Sequence, residues 1–418
     1  MTPERMFQEL LGLGLNWEVT ESRFDHESST VILEIRQTQR LWESERCPAD
    51  SGLVLCYDHT EELVWRHLNV FQHRCEIRCR LPRKKCRQCG KVHRVRPPWE
   101  GLSGHFSKEF EAFALVLMRE MPMAKAAEVL GESDTRLWRM LFKHVDGAHA
   151  QADFSNVCCV GVDELNIRKG HEYVSVFADL VAKRVLFATE DKGHETWDRF
   201  VVALENHNGH RHSITQASMD MSAAYQRGAA DNCRNAQVVF DKFHLVANVG
   251  KAVDLVRQAE VRSGVKGIWA KLTKTQWIWR KNPDNLTDRQ RQRLEQLDQE
   301  NLCTAKAYQM RLCLQDIYRL ADANQARRSF LAWCRWVRWI AKKHKAFLFE
   351  PMLKVAQMVE THLKGILAHW KWGVTNAFME GLNSVFQATK RKARGYRSSV
   401  YLIAMLYFVA GKLRLPHF

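Results

Sequence analysis

Long apolar runs are missing from this 418-residue sequence, and no stretch approaches the roughly 20 uninterrupted apolar residues that a membrane-spanning helix needs. The N-terminal stretch also lacks the pattern of a secretory signal peptide, since it carries Glu4, Glu9 and Glu18. These absences argue against a membrane protein and against an exported one. We therefore expect no membrane partner and a reducing, cytoplasmic setting.

Acidic residues are too few to balance the basic ones. The sequence has 47 Asp and Glu against 63 Lys and Arg, which gives a formal net charge of +16. Such an excess favours a polyanionic partner, and nucleic acid is a better candidate than a membrane surface. The apolar fraction of 46% excludes a mostly disordered chain, and the length suits two or three domains.

The 12 cysteines do not indicate a disulfide scaffold, because they are scattered through a long chain. Their densest stretch ends in Cys86-Arg-Gln-Cys89-Gly, a turn in which two thiolates can reach one tetrahedral zinc ion. The first half-site is less regular, because Asp50 stands three residues after Cys47, where a second thiolate is expected. We predict a structural Zn²⁺ held by Cys47, Cys56, Cys86 and Cys89, with Asp50, His59, Cys75 and Cys79 as rival ligands.

The alternative interpretation of this stretch is a small β-rich module without metal. A dense basic run surrounds the cysteine pair, and it is either a solvated face or a phosphate-binding surface. Beside a candidate zinc module we favour phosphate contacts. The basic residues concerned are Arg78, Arg80, Arg83, Lys84, Lys85, Arg87, Lys91, Arg94 and Arg96.

After Pro97-Pro98 the apolar residues follow a helical period. A helix near 110–118, a short helix at 123–130, a turn at Gly131-Glu-Ser133 and a third helix at about 134–145 are predicted. A short helix, a glycine turn and a helix with a basic exposed face are typical of a helix-turn-helix that reads DNA, although a plain three-helix linker has the same pattern. The predicted DNA contacts are Thr135, Arg136, Arg139 and Lys143.

Apolar runs at about 157–162, 173–180 and 184–189 predict an antiparallel meander whose first strand leads into Asp163. A helix, a strand ending at Asp220, a second helix and a strand ending at Asp241 follow. This order is typical of an RNase H-like domain, a fold that holds carboxylates at strand ends on one side of its sheet. Residues 244–371 then follow a helical pattern almost throughout.

A helix near the C-terminus places Glu380 and Asn383 on one stripe, apart from its apolar face. At 3.6 residues per turn that stripe is predicted to continue to Arg391 and Arg394, and Gly395 is predicted to end the helix. One helix would thus offer a carboxylate and then a row of cations. The DNA contacts predicted on it are Lys390, Arg391 and Arg394.

Cleavage of a phosphodiester requires stabilisation of charge on the attacking and the leaving oxygen, which two divalent ions can provide. Mg²⁺ prefers hard oxygen ligands, and Asp163, Asp220 and Glu380 would supply three carboxylates from separate elements. Each has a simpler explanation as well. Asp220 could cap the helix that follows it, and Glu380 could be a solvated helix residue.

An ordered set of motifs resembles the DDE transposases of the ISL3 insertion-sequence family. The motifs are Val160-Gly-Val-Asp163-Glu, Lys169-Gly-His-Glu-Tyr173, Asp220 with Tyr225, Phe240-Asp-Lys-Phe-His244-Leu, Thr375-Asn376, Glu380-Gly-Leu-Asn383 and Lys390-Arg391 before Gly395-Tyr396. The cysteine-rich module with Trp65-Arg-His-Leu68 is similar to the zinc-binding domain of that family. Asp50 departs from the family pattern, which usually has cysteine there.

This resemblance implies an RNase H-like core, interrupted by a helical insertion, with Asp163, Asp220 and Glu380 as the catalytic triad on Mg²⁺ or Mn²⁺. It implies double-stranded DNA as the partner, namely the terminal inverted repeats of the element and a target. It further implies a homo-oligomer on DNA, at the bacterial nucleoid. Asp241 could be an additional metal ligand or could orient His244, and we favour the second role.

The expected fold class is α/β, in the multidomain α+β sense: an RNase H-like mixed sheet with a helical insertion, preceded by a zinc module and a helix-turn-helix. Two other functions are compatible with the residues: a DNA-binding regulator, and a structure-specific nuclease that does not join strands. The predicted parts are an N-terminal segment (1–45), a zinc-binding module (46–97), the helix-turn-helix (98–150), the first part of the catalytic core (151–250), the helical insertion (251–371) and the last part of the core with the third acid (372–418).

Overall fold

The computed structural model describes residues 2–38, 46–167, 173–265, 267–298, 300–344, 346–372 and 377–416. The motif segments 168–172 and 375–376 lie outside the described residues. The chain forms two compact units. Among the described residues, no helix combines the length and the apolar character that crossing a membrane requires.

The first unit contains residues 2–38, 46–152, 389–396 and 400–416. It begins with a helix and contains a four-stranded sheet of order β1-β2-β5-β4 and a three-stranded sheet of order β3-β6-β7. The rings of Trp17 and Trp65 each contact Trp99 edge to face in the core beside the larger sheet. The elements are α1 (Pro3–Leu10), β1 (Trp17–Asp25), β2 (Thr30–Gln37), β3 (Val54–His59), β4 (Leu63–Val70), β5 (His73–Cys79), β6 (Pro82–Cys86) and β7 (Val92–Arg94).

The predicted helix-turn-helix is confirmed as α2 (Lys108–Glu120), α3 (Met123–Leu130) and α4 (Asp134–Ala150). Helix α3 ends at Gly131, which has φ 65° in the left-handed region that glycine adopts without steric cost. The Ser133 hydroxyl accepts a hydrogen bond from the backbone N–H of Arg136 and so caps the start of α4.

The last helix, α16 (Ser399–Ala410), packs on the helix-turn-helix. Its sequence is apolar on nearly every face, so the helix is stable only where several neighbours bury it. Met405 and Phe408 enter the core that α2, α3 and α4 share. The boundaries predicted from the sequence place all of 372–418 with the catalytic core, because helical periodicity does not identify the neighbours of an apolar helix.

The second unit contains the described residues among 153–388 and 397–399. Its five-stranded mixed sheet has the order β10-β9-β8-β11-β12. The predicted meander is confirmed, since β8, β9 and β10 pair antiparallel, whereas β11 and β12 run parallel to β8. The strands and intervening helices are β8 (Cys159–Asn166), β9 (Tyr173–Asp179), β10 (Arg184–Glu190), α5 (Glu195–Asn206), β11 (Gln216–Met219), α6 (Ala223–Asn232) and β12 (Gln237–Phe240).

A helical region follows β12 and leads to the helix that carries Glu380. A buried carboxylate stabilises this region. Glu260 accepts hydrogen bonds from the backbone N–H groups of Cys303 and Thr304, which have no partner within the helix that begins at Cys303. The helices are α7 (Lys242–Arg262), α8 (Ile268–Leu272), α9 (Gln276–Arg280), α10 (Asp288–Asp298), α11 (Cys303–Ile317), α12 (Ala323–Lys343), α13 (Glu350–Thr361), α14 (Leu363–Trp372) and α15 (Ala377–Lys392).

Candidate active site

Asp163 lies within β8, which continues to Asn166, whereas Asp220 and Asp241 directly follow the parallel strands β11 and β12. Ser218 of β11 lies opposite Gly161 of β8, and two residues further along each chain come Asp220 and Asp163. Met219 lies opposite Phe240 of β12, and the next residue of that strand is Asp241, whose backbone N–H donates to the Met219 carbonyl at 3.1 Å. Because neighbouring parallel strands run in the same direction, the three acids reach the same edge of the sheet.

Asp163 is partly buried and accepts hydrogen bonds on both oxygens. The backbone N–H of Glu164 donates to Oδ1 at 2.8 Å, and the side-chain amide of Asn383 donates to Oδ2. His244 Nε2 lies 4.0 Å from Oδ1. Burial raises the pKa of the Asp163 carboxyl, and the hydrogen bond from Asn383 opposes that shift. The arrangement can therefore hold a carboxylate ready for a cation.

Glu380 lies on α15 near the start of that helix, and its Oε1 is buried without a hydrogen-bond partner. Burial raises the pKa of the Glu380 carboxyl, and the negative charge of Asp241 raises it further. The helix can approach the sheet closely because Gly161 has no side chain: a Cβ there would lie 2.9 Å from Met379 Cγ. Glu380 thus depends on the glycine of the Val-Gly-Val-Asp motif.

Asp241 and His244 belong to the same cluster. Asp241 is buried, accepts from the backbone N–H of Phe243 at 2.9 Å as the N-cap of α7, and has its Oδ2 3.8 Å from His244 Nε2. The charge of Asp241 acts on both Asp163 and Glu380. Asp241 therefore links the first and third predicted acids, a relation that the sequence left open.

Asp220 follows β11 and acts electrostatically on Glu164, the neighbour of Asp163. Asp220 Oδ1 accepts from the backbone N–H of Ser222 at 2.8 Å, in a turn before α6, whose N-cap is Ser222 itself. Burial raises the pKa of Glu164, and the charge of Asp220 is the next contribution. Among the described residues, the oxygens of Asp163, Asp220 and Glu380 do not all lie within 4.8 Å of one another. The structure brings Asp163 and Glu380 into one cluster, whereas Asp220 acts on Glu164, the residue next to Asp163.

A basic cleft of about 790 Å³ opens beside this cluster at the start of α7. Arg280 and Arg319 are tied to the carboxylates Asp254 and Asp316. Phe243, which is 44% exposed, also lines the cleft. The cationic residues that line it are Lys242, Arg280, Lys281, Arg311 and Arg319. Such a cleft suits the phosphates of a nucleic acid strand.

The second helix of the helix-turn-helix exposes three of its four predicted DNA contacts: Thr135, Arg139 and Lys143. Arg136 has a different role, because its guanidinium pairs with Glu132 and lies 4.6 Å from the centroid of the Phe106 ring. An arginine held in that way stabilises the turn between α3 and α4, and DNA contact by Arg136 stays a prediction. The helical pattern could not identify this pairing, since Glu132 lies in the turn.

The C-terminal cations also differ from the prediction. Helix α15 ends at Lys392, so Arg391 lies on it and is exposed, whereas Arg394 lies beyond its end with φ 55°. The backbone N–H groups of Arg394 and Gly395 bond to the carbonyls of Arg391 and Lys390, which is a Schellman ending. The stripe predicted to run on to Arg394 is therefore wrong at that residue, because the chain leaves the helix first.

The cysteine-rich module gathers four potential ligands, namely Cys47, Asp50, Cys86 and Cys89, whose ligand atoms all lie within 4.8 Å of one another. Cys56, which is predicted as a ligand from the sequence, is not among them. It lies on strand β3, in a ladder opposite Lys84, whereas Asp50 lies in the turn that follows Cys47. Two of these sulfurs, Cys47 Sγ and Cys89 Sγ, are 3.7 Å apart.

The Asp50 carboxylate fits a metal ligand. Its pKa is lowered to about 2, first because the backbone N–H of Gly52 donates to it and then because of neighbouring thiols. The Cys86 thiol lies 3.3 Å from Asp50 Oδ1. Three sulfur donors and one oxygen donor at these spacings are a donor set that tetrahedral zinc accepts. The rivals His59, Cys75 and Cys79 lie outside this group.

Comparisons with known proteins agree with these elements. A transposase model of the ISL3 type matches residues 160–406, and a model for the helix-turn-helix domain of transposase family ISL3 matches residues 103–145. The transposase for insertion sequence element IS1001 of Bordetella parapertussis is 26% identical over 383 residues, which cover 89% of each chain. The transposase for insertion sequence element IS1557 of Mycobacterium tuberculosis is 22% identical and covers 96% of this chain and 94% of its own.

Proposed function

The chain belongs to the ISL3 family of transposases, and from that premise we propose that it cuts DNA at the ends of its own insertion sequence and joins them to a target. It recognises the terminal inverted repeats through the zinc module and the helix-turn-helix. It acts at the bacterial nucleoid as a homo-oligomer assembled on DNA. The observation that carries the proposal is the cluster of Asp163, Asn383 and Glu380, which joins strand β8 to a helix that is distant in sequence.

The catalytic region is proposed to be RNase H-like. The supporting feature is the strand order β10-β9-β8-β11-β12, with three antiparallel strands followed by two parallel ones. The region between β12 and α15 is the proposed helical insertion. In that arrangement the first acid lies on the first strand, the second follows the fourth, and the third comes from a helix.

Asp163, Asp220 and Glu380 are the proposed ligands for Mg²⁺ or Mn²⁺. The fit rests on the buried Oε1 of Glu380, which has no partner, and on the all-oxygen donor set. Divalent ions, when bound, stabilise the charge on the attacking and leaving oxygens of the phosphodiester. Asn383 orients the Asp163 carboxylate through Oδ2, and Asp241 orients His244.

In the proposed first reaction, a water oxygen attacks phosphorus at the end of the element, and the bond from phosphorus to the 3′-oxygen breaks. The released 3′-oxygen takes up a proton and becomes a hydroxyl. In the second reaction that hydroxyl attacks a target phosphodiester, loses its proton, and displaces the 3′-oxygen of the target strand. The number of phosphodiester bonds is conserved in the joining step, so no external energy source is required.

A structural Zn²⁺ held by Cys47, Asp50, Cys86 and Cys89 is proposed for the N-terminal module. Its ligands come from two turns that are 36 or more residues apart in the chain, so binding would hold those turns together. Thr135, Arg139, Lys143, Lys390, Arg391 and Arg394 are the proposed DNA contacts.

The test is a cleavage and strand-transfer assay on a labelled duplex made from the DNA that flanks the gene, with Mg²⁺ or Mn²⁺. Wild-type protein is expected to nick the duplex and to form joined products. Asp163→Asn is expected to bind the duplex but not to cut it, whereas the exposed Asp231→Asn serves as a matched control. Comparison of Asp220→Asn with Asp241→Asn establishes which of the two acids the chemistry needs.

Each other outcome overturns part of the proposal. Full activity in Asp163→Ala would remove the catalytic assignment. Binding of the flanking duplex without metal-dependent nicking would indicate a DNA-binding regulator. Nicking without joined products would indicate a nuclease.

A further inference from the structure

The hairpin formed by β4 and β5 carries a phenylalanine at its tip. Val70 pairs with His73, so the loop has only two residues, Phe71 and Gln72. The side chain of Phe71 is 90% exposed, the highest value among the large exposed apolar side chains of the described residues. An aromatic ring in that position buries almost no surface and contributes little to folding.

The backbone of Phe71 is also in an unfavourable conformation. Its φ is 56°, in the left-handed region, where a β-carbon meets the carbonyl oxygen that follows it. Two-residue hairpin loops that require positive φ favour glycine or asparagine for this reason. A large aromatic residue thus stands where glycine would be more stable, and among the described residues the ring, 90% exposed, is not packed in a way that accounts for it. Residues with strained backbone conformations cluster at binding and active sites, so the strain at Phe71 favours a binding role.

The base of the hairpin is firmly held. His73 Nδ1 lies 2.8 Å from the Ser29 hydroxyl, and its ring contacts Phe24 edge to face at 4.8 Å. On the other strand, Arg66 bonds to the side chain of Asn69. These contacts fix the strand residues on both sides of the two-residue loop that carries Phe71.

The same hairpin is tied to the helix-turn-helix through Glu132. That carboxylate is buried in the turn between α3 and α4 and receives Arg66 at 3.7 Å and Arg74 at 3.3 Å, one from each strand of the hairpin. It also pairs with Arg136 in the first turn of α4. The hairpin and the start of the recognition helix thus share one buried ionic contact, so DNA held by α4 passes close to the hairpin.

The net positive charge of the cysteine-rich module, residues 46–97, also favours DNA as the ligand. Between residues 46 and 97 there are twelve Lys and Arg and only five Asp and Glu. A protein partner with an apolar surface would not require this excess, whereas a phosphate backbone would attract it. Phenylalanine is also among the side chains that proteins insert between base pairs to unstack and kink a duplex.

We propose that Phe71 is a wedge that inserts between stacked base pairs of the DNA held by the helix-turn-helix. This inference rests on the proposed function, because the DNA is that of the element end. The ring unstacks one base step and bends the duplex around the N-terminal module. The strained turn is retained because it directs the ring away from the sheet and into the duplex.

The test compares Phe71→Gly, Phe71→Trp and wild type on duplexes of gene-flanking DNA that carry 2-aminopurine at successive positions. Wild type is expected to increase 2-aminopurine fluorescence at one step, and Phe71→Trp to retain that signal. Phe71→Gly should lose it and bind about tenfold more weakly. Phe71→Gly should also raise the unfolding midpoint of the unit by about 1 to 3 °C, since glycine relieves the turn. Lys183→Gly, at φ 55° in another hairpin, is the conformational control and should leave the DNA signal unchanged.

The results separate this inference from the proposed function. If wild type binds and bends the flanking duplex and Phe71→Gly does so equally, Phe71 does not touch DNA and the inference fails. If Phe71→Gly instead loses self-association while it binds DNA normally, the ring contacts a second copy of the chain and the inference also fails. If wild type itself does not bind the flanking duplex, the proposed function fails first.

Discussion

Asn383 of α15 donates its side-chain amide to Oδ2 of Asp163, across 220 positions of sequence. The bond joins the helix that carries Glu380 to the strand that carries the first acid. Together with the backbone N–H of Glu164 on Oδ1, it holds the Asp163 carboxylate in one orientation. Groups that orient a metal-binding carboxylate in this way usually affect activity strongly without taking part in the chemistry.

Replacement of Asn383 by alanine should therefore slow metal-dependent cleavage by about 10- to 100-fold, as is typical when a group that supports a metal ligand is removed. DNA affinity should stay at the wild-type value, because the uncharged Asn383 side chain is bonded to Asp163. The measurement is a cleavage rate at saturating protein together with a binding isotherm. Ser384→Ala, at the exposed neighbouring position, is the control, and equal rates for both variants would show that the bond is unimportant.

Glu380→Gln should separate stability from activity. The Oε1 of Glu380 is buried without a partner, and burial raises the pKa of the carboxyl, so its charged form destabilises the metal-free protein. The neutral amide should raise the unfolding midpoint by about 1 to 3 °C and abolish cleavage. Mg²⁺ should raise the midpoint of wild type but not of the variant. Glu295→Gln on α10 is the matched control, and a Mg²⁺ response that survives in Glu380→Gln would count against the ligand assignment.

The ligand set of the zinc module makes opposite predictions for two cysteines. Cys86→Ser should lose zinc, whereas Cys56→Ser should keep it, because Cys56 lies outside the group. Asp50→Cys should hold zinc more tightly by about tenfold or more, since a thiolate is the softer ligand. Zinc release into a chromogenic chelator measures all three. Loss of zinc from Cys56→Ser would restore the ligand first predicted from the sequence.

Two arginines on the recognition helix should respond differently to alanine. Arg139 is exposed, so Arg139→Ala should weaken DNA binding and reduce the slope of log affinity against log salt by about 1. Arg136→Ala should chiefly lower the unfolding midpoint, because it leaves buried Glu132 with one cation fewer. Salt-dependent binding isotherms and thermal unfolding distinguish the two effects. An unchanged salt slope in Arg139→Ala would show that this side chain does not touch phosphate.

The helix-turn-helix should lose stability in acid through Glu111. This buried carboxylate accepts from His144 Nε2 at 2.7 Å and from the backbone N–H groups of Leu102 and Ser103. Burial acts to raise the pKa of Glu111, but hydrogen bonds from His144 and Ser103 outweigh it and lower the pKa. The stabilisation is therefore complete above the unfolded pKa of about 4.3 and is lost as pH falls through the lower folded value.

Glu111→Gln should lower the free energy of unfolding by about 2 to 4 kcal/mol at neutral pH, because a buried ionic and hydrogen-bonded partner is lost. It should also flatten the decline of stability below pH 4.3, which denaturant unfolding at several pH values would reveal. Glu120→Gln at the exposed end of the same helix is the control. A variant that keeps the wild-type acid profile would assign that profile to other carboxylates.

Much of the molecule could be predicted from local patterns. The helix-turn-helix follows from apolar residues at helical spacing and from Gly131, which occupies a conformation that favours glycine. The meander follows from three apolar runs with short turns, and the family follows from the order of the acidic motifs. These features depend on neighbouring residues or on their order along the chain, so the sequence alone determined them.

Tertiary structure alone decided which residues meet. Periodicity shows which face of α15 carries Asn383, but only the fold brings that face to Asp163. Spacing favoured Cys56 as a zinc ligand, but strand β3 holds it in a ladder, and the turn after Cys47 brings Asp50 to the thiolates instead. Arg136 is paired with buried Glu132, and α16 is buried against the helix-turn-helix. The physical reason is common to all four: long-range contacts depend on how elements pack, and a single sequence records the faces available for packing but not their partners.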